Sequence, residues 1–124
     1  MRIPSKIRLN TADNQLELGY ANGDKFTLPA EFLRVLSPSA EVQGHGNPVL
    51  QSGKQFVRLT NVQAAGNYAL KLTFDDGHDT GLYTWDYLFR LGSQQEQLWQ
   101  DYLKQLSAAN QFRDPSQSAV KIML

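Results

Sequence analysis

Asn67-Tyr-Ala-Leu-Lys-Leu-Thr-Phe-Asp-Asp-Gly-His-Asp-Thr-Gly-Leu-Tyr-Thr-Trp85 reads as a strand, a tight turn, a second short strand and the start of a helix. Tyr68, Leu70, Leu72 and Phe74 alternate with polar or small residues, the period-2 pattern of a strand with one buried face. Asp76-Gly77 marks a hairpin, because a type I′ turn needs positive φ and Gly adopts it with no Cβ clash. Asp75, Asp76, His78 and Asp79 crowd this turn, the densest group of possible metal or acid–base ligands in the chain. Leu82 continues the partner strand. Thr84 is placed to cap a helix carrying Leu88 and Leu91, with Gly92 at its C-terminal end.

Upstream the same grammar repeats. Ile7 and Leu9 share one side of a first strand, and Leu16, Leu18 and Tyr20 repeat the pattern on a second, with Asp13-Asn14 turning between them. Asn22-Gly23 is another hairpin signal, leading to Phe26 and Leu28 on a third strand. Pro29 suits the first helical position, Phe32, Leu33 and Leu36 follow at helical spacing, and Ser37-Pro38 stops the helix. Between Pro38 and Gly53 lie three glycines and two prolines, a composition that predicts a long loop and therefore a recognition role. Alternation of Phe56, Arg58 and Thr60 with Val57, Leu59 and Asn61 predicts a strand, with Ala64 to Asn67 turning into the opening stretch.

Downstream, Ser93-Gln-Gln-Glu96 has the form of a capping box. Behind it Leu98, Trp99, Tyr102, Leu103 and Leu106 make an amphipathic face. The pattern predicts an α+β fold in which a small, mainly antiparallel sheet carries this C-terminal helix. One domain spans 1–110, and 111–124 is expected to be a flexible tail whose apolar tip, Val120 to Leu124, is either a docking segment or a frayed end.

Composition narrows the function. The 124 residues are 41% hydrophobic and 19% charged, enough apolar content for one core. Twelve basic residues balance twelve acidic ones, which argues against nucleic acid or anionic membranes as partners, since both bind a basic surface. The absence of cysteine excludes disulfides, thiolate metal sites and a Cys nucleophile within the chain. The first ten residues lack the apolar stretch of a secretory signal, and no run reaches the ~20 apolar residues of a membrane span. These features predict a cytoplasmic location.

Single residues invite competing readings. His78 with Asp76 and Asp79 suggests a divalent-metal site, against a polar turn in which aspartates bond turn amides. His45, flanked by Gly44 and Gly46, can present an imidazole to a ligand or partner, or the glycines simply serve a sharp turn. Arg34 has the planar fork to bond the loop carbonyls or a carboxylate, or lies on a helix surface. Tyr83, Trp85, Tyr87 and Phe89 form an aromatic binding face or belong to the core. Ser37 and Ser39 have no Gly-x-Ser-x-Gly context, and Gly44-His-Gly46 is not followed by the Lys-Ser of a phosphate loop.

Leu33-Arg34, Ser37-Pro-Ser-Ala-Glu-Val42, Asn67-Tyr-Ala-Leu70, Asp76-Gly-His78 and Gly81-Leu-Tyr-Thr-Trp85 together resemble the gamma-butyrobetaine hydroxylase-like N-terminal domain, over about Ile7 to Leu91. The resemblance implies a domain of unknown function that stands alone in bacteria. Elsewhere the family precedes the oxygenase domain of carnitine-pathway hydroxylases or is joined to MRP-like P-loop carriers of iron–sulfur clusters. In the hydroxylases it implies a zinc module held by Cys-Pro-Cys-x-x-Cys and the His of the Asp-Gly-His turn. Here Ser37, Ser39 and Val42 stand at the Cys positions and only His78 remains, so the zinc site is expected to be lost and no cofactor to be held. Iron-dependent oxygenation belongs to a separate domain for which the chain has no room.

Two readings of function follow. One is a non-catalytic interaction module for a protein partner, linked by resemblance to iron–sulfur or metal-handling factors, with Arg34, Gly44, His45 and Gly46 as candidate contacts. The other is a small-ligand or divalent-metal-binding protein that uses the His45 loop and the His78 turn.

Overall fold

The computed structural model describes residues 2–117. Two antiparallel meanders build the fold. The first is β1 (Lys6–Asn10), β2 (Gln15–Gly19) and β3 (Lys25–Pro29); the second is β4 (Leu59–Ala65), β5 (Ala69–Phe74) and β6 (Leu82–Thr84). Helices α1 (Ala30–Val35) and α2 (Ala40–Gln43), followed by one 3-10 turn at Gly44–Gly46, lie between the two sheets in sequence. Helices α3 (Trp85–Ser93) and α4 (Gln95–Ala108) follow the second. The architecture is α+β, with the predicted antiparallel pairing divided between two three-stranded sheets.

Register explains the burial. Leu16 faces Leu28 and Leu18 faces Phe26 across β2 and β3, so the apolar residues of the first sheet emerge on one side. Leu70, Leu72 and Phe74 do the same on β5, and Tyr83 pairs with Leu70. Both apolar faces meet Phe32 and Leu33 of α1 and Leu88 and Leu91 of α3 in one core. Each such side chain, taken fully out of water, contributes about 1.5–3 kcal/mol. A second, smaller cluster joins Val35 of α1 to Tyr102 and Leu106 of α4. Thus α3 fills the centre while α4 packs over its margin through Leu98 and Trp99, both partly buried.

Several local expectations are corrected. The strand expected from Phe56 begins at Leu59, because Asn14 claims the preceding backbone: its amide donates to the Val57 carbonyl at 2.9 Å and its side-chain oxygen accepts from Leu59 N–H at 2.9 Å. Phe56 is left 64% exposed. Ala64 and Ala65 belong to β4 rather than to the following turn, and Tyr68 lies before β5 with 53% of its surface in water.

The turn after Phe74 is not type I′. Gly77 N–H donates to the Phe74 carbonyl and Phe74 N–H to that of His78. Gly77 (φ +88°) alone has positive φ here, which is a type I turn closed by a left-handed glycine.

The Pro38–Gly53 stretch is not structureless. The Ser39 hydroxyl caps α2 by accepting from Val42 N–H, a helix start too short to show in hydrophobic spacing. The capping box is not formed either. Ser93 completes the last turn of α3, where its hydroxyl donates to the Arg90 carbonyl, and α4 starts after Gln94 without a side-chain cap. Pro29 closes β3 and serves as N-cap, one position earlier than expected.

Nor is the start of the expected tail free. Gly53 N–H donates to the Phe112 carbonyl and Gln55 N–H to that of Arg113. Arg113 also makes three hydrogen bonds, of 2.7, 2.9 and 3.2 Å, to the buried carboxylate of Glu31. The apolar tip Val120–Leu124 lies outside the described residues.

Candidate functional site

The residues that carry the resemblance meet at one place, where the end of α1 and the start of α2 rest on the β5–β6 turn. Ser37 is fully buried, and its Oγ lies 2.8 Å from His78 Nε2. Ser39 N–H donates to that same Oγ at 3.3 Å, and Ser39 Oγ accepts from Val42 N–H at 3.3 Å. The four positions 37, 39, 42 and 78 therefore form one hydrogen-bonded chain. On the other side of the imidazole, Glu41 Oε2 stands 3.5 Å from Nδ1. A carboxylate there favours the proton on Nδ1, so Nε2 accepts from the Ser37 hydroxyl.

Beside this chain lies an ionic knot. The Arg34 side chain is only 8% exposed. Its Nε donates to Asp76 Oδ2 at 2.8 Å and its Nη1 to Gln51 Oε1 at 3.3 Å. Lys54 Nζ reaches the same Asp76 oxygen at 3.2 Å, and His78 N–H donates to Oδ1 at 3.1 Å. Burial would raise the Asp76 pKa, but the bonds from Arg34, His78 N–H and Lys54 prevail and hold it below the ordinary carboxylate value. His78 moves down as well, first through burial and then through the positive charge of Arg34.

Tyrosines close the far side. Tyr83 Oη donates to the Leu33 carbonyl and Tyr87 Oη to that of Leu36, each at 2.5 Å. Both carbonyls belong to the C-terminal end of α1, which has no helical partner for them. Burial raises the pKa of both phenols, so they stay protonated donors. Trp85 Nε1 bonds the Asn67 carbonyl, and Phe89 stacks edge-on with Tyr20 and Phe26. Tyr83, Trp85 and Phe89 serve the core and its caps, and Tyr87 caps α1 while also lining the groove between α2 and helices α3 and α4.

The candidate metal ligands do not converge. Asp76 is taken by Arg34 and Lys54, Asp79 lies 3.8 Å from Lys71 on the surface, and Asp75 accepts from Arg58 N–H. Among the described residues no group of three or more His, Asp and Glu side chains is placed to hold a metal ion. Two neutral hydroxyls and a valine at the other zinc positions do not fit that ion, and the His78 nitrogen nearest them is engaged by Ser37. Arg34 is committed within the fold and is not a free contact for a partner. Gly44, His45 and Gly46 form the 3-10 turn after α2, where Gly44 (φ +55°) ends the helix in the left-handed region.

Glu41 is a residue the sequence reading missed. Recognising Ser39 as an N-cap would have placed it in the first turn of α2, facing His78. Hydroxyl, imidazole and carboxylate in this order form the outline of a nucleophilic triad. Yet no substrate carbon reaches a fully buried Oγ, and 3.5 Å is too long for a firm bond between His78 and Glu41. Gly81 packs so closely that a Cβ there would stand 2.5 Å from Ser37 Oγ. The cluster is closed on itself.

Next to it the surface opens. A groove of about 390 Å³ runs between the α2 segment and helices α3 and α4. Leu36, Val42, Leu50 and Leu91 supply apolar lining, with Arg90, Asp101 and Gln105 among its polar residues. Val49, 52% exposed, stands beside them. A second cavity, of about 590 Å³, lies by Phe32, Trp99 and the Glu31–Arg113 pair. No described helix is long and apolar enough to cross a membrane.

Known proteins place the chain. It is similar over its full length to two proteins solved in solution by NMR. One is 62% identical (TM-score 0.86, 99% of that chain covered) and the other 49% identical (TM-score 0.80, 95% covered). A crystal structure of a protein of unknown function from Acidithiobacillus ferrooxidans, assigned to the DUF971 family, is 37% identical. That alignment covers 72% of this chain and 91% of that one, with a TM-score of 0.61. No curated protein matches. The family described as "Gamma-butyrobetaine hydroxylase-like, N-terminal" matches residues 7–89, a span that takes in both sheets, the Ser37–His78 cluster and most of α3. The chain belongs to the gamma-butyrobetaine hydroxylase-like N-terminal domain family.

Proposed function

We propose that this chain is a non-catalytic binding module that takes a protein partner in the groove between the Pro38–Gly53 segment and helices α3 and α4. The observation that supports the reading is the contrast between two neighbours. The Ser37–His78 cluster is buried and satisfied from within, while the groove beside it is open and apolar, with polar residues among its lining. That arrangement suits recognition: apolar anchors contribute affinity, and a polar rim sets orientation. The family resemblance supplies the partner class, a metal-handling protein such as a P-loop carrier of iron–sulfur clusters. The module itself holds no zinc in this reading.

Capture from cell lysate on the immobilised chain, then 15N NMR of the labelled chain with the captured protein, tests the proposal. Shifts are expected at Val49, Arg90, Asp101 and Gln105. The exposed change Val49→Asp is expected to abolish capture with the melting temperature unchanged. Capture that survives this change, turnover of a substrate in a metabolite screen, or one chelation-resistant zinc per chain would each defeat the reading.

A further inference from the structure

We infer that β4 is a self-association edge, on which a second copy of this chain adds its own β4 antiparallel to make one continuous six-stranded sheet. A sheet edge presents unpaired N–H and C=O groups, and folded proteins guard such edges with charge, proline or brevity. Three of the four edges here carry a guard. On β1 stand Lys6 and Arg8, on β3 stand Lys25 and Pro29, and β6 is only three residues long.

β4 differs. It runs seven residues, Leu-Thr-Asn-Val-Gln-Ala-Ala, with neither charge nor proline, and among the described residues it pairs on one side only, with β5. Its N-terminal end is covered by the β1–β2 turn through Asn14, and the register shifts between Leu59 and Asn61. Strand β1 also approaches β4, but Thr60, Asn61, Gln63 and Ala64 remain exposed. Among the described residues, the backbone hydrogen bonds outside helices and sheets involve no group of 60–65.

The side chains indicate the occupant. Val62 and Ala64 pair with Leu72 and Leu70, so they lie on the core side of the sheet, yet Val62 is only half-buried and Ala64 is exposed. Asn61 and Gln63 point to the other face. An added strand must therefore be apolar inward, amide-bearing outward and uncharged at the centre, which is the pattern of β4 itself. With Gln63 opposite Gln63 across a two-fold axis, Val62 of each copy meets Ala64 of the other on the core side. Asn61 meets Ala65 outside, and no like charges oppose. This surface is distinct from the groove proposed above.

Sedimentation equilibrium of the whole chain from low micromolar to millimolar concentration tests the inference. Wild type is expected to rise toward twice its 14.0 kDa mass. Gln63→Lys, an exposed change that sets two ammonium groups against each other, is expected to stay at single mass with its melting temperature unchanged. Cross-strand amide contacts at Val62 and Ala64 in mixed-label NMR are expected in wild type only. A wild type that stays at single mass at millimolar concentration overturns the inference, as does an association that Gln63→Lys leaves intact. Binding of a foreign extended peptide to a monomeric wild type would assign the edge to another occupant and overturn it too.

Discussion

Ser37 Oγ and His78 Nε2 are 2.8 Å apart although the two residues lie forty-one positions apart in sequence, and their bond fastens the end of α1 to the β5–β6 turn. Burial, and next the Arg34 guanidinium, hold the imidazole below its ordinary value of 6.5. The unfolded chain therefore takes up a proton at His78 before the folded one does. Stability that depends on the neutral ring is present above 6.5 and lost as pH falls below it toward the folded value. The melting temperature should be level above about pH 7.5 and decline as pH falls below about 6.5, with His78→Gln removing most of that slope. Equal slopes in the two proteins would show that the ring is not neutral in the fold.

Asp76 gathers Arg34, Lys54 and the His78 amide on one carboxylate. Asp76→Asn leaves the buried Arg34 guanidinium without its counter-charge. Because Asp76 is itself partly exposed, the cost should be about 2–4 kcal/mol, toward the lower part of the range for broken buried pairs. A shift of the urea midpoint at constant slope measures it, and no shift would mean that Gln51 and water suffice for Arg34.

Two substitutions rank the helices. Leu88 on α3 is fully buried, whereas Trp99 on α4 is partly open between Phe32, Tyr102 and the Arg113 guanidinium. Leu88→Ala should cost about 3–4 kcal/mol and Trp99→Ala about 2 kcal/mol, below the usual cost for a buried Trp. Chemical denaturation gives both values. The reverse order would move the centre of the core to α4.

Gly92 is helical and packed on an aromatic ring. A Cβ at this position would lie 2.2 Å from the Phe26 ring, so Gly92→Ala must push α3 off β3 or turn the ring. Helix propensity favours Ala by about 1 kcal/mol, and overpacking opposes it by about 1–3 kcal/mol. Net destabilisation is expected, relieved by Phe26→Leu in a double-mutant cycle. Gly92→Ala alone raising the melting temperature would refute the contact.

The strands were legible where side chains alternate against a single buried face, as at Leu70, Leu72 and Phe74 or at Leu16 and Leu18. The sequence reading failed where a distant side chain claims the backbone. Nothing near Val57 announces that Asn14 will take its carbonyl, so β4 was started too early. Short helices were equally opaque: four residues of α2 carry no period, and only Ser39 marks the start. At the site, the convergence of positions 37, 39, 42 and 78 follows from the family pattern. The Arg34–Asp76 pair and the role of Glu41 do not, because each depends on which faces of α1 and α2 meet the turn. Arg34 at the end of a short helix looks like a surface residue until the β5–β6 turn is folded over it.

Arg113 bears on how this chain is cut and how it is made. Glu31 is buried with its carboxylate held by a residue eighty-two positions later, beyond the end of α4. A fragment stopping at Asn110 would keep β1 to β6 and α1 to α4 yet strand a charge in the interior. Chain emerging from a ribosome meets the same problem for as long as synthesis has not passed Arg113. The folding unit thus extends past α4, and this small clasp completes it.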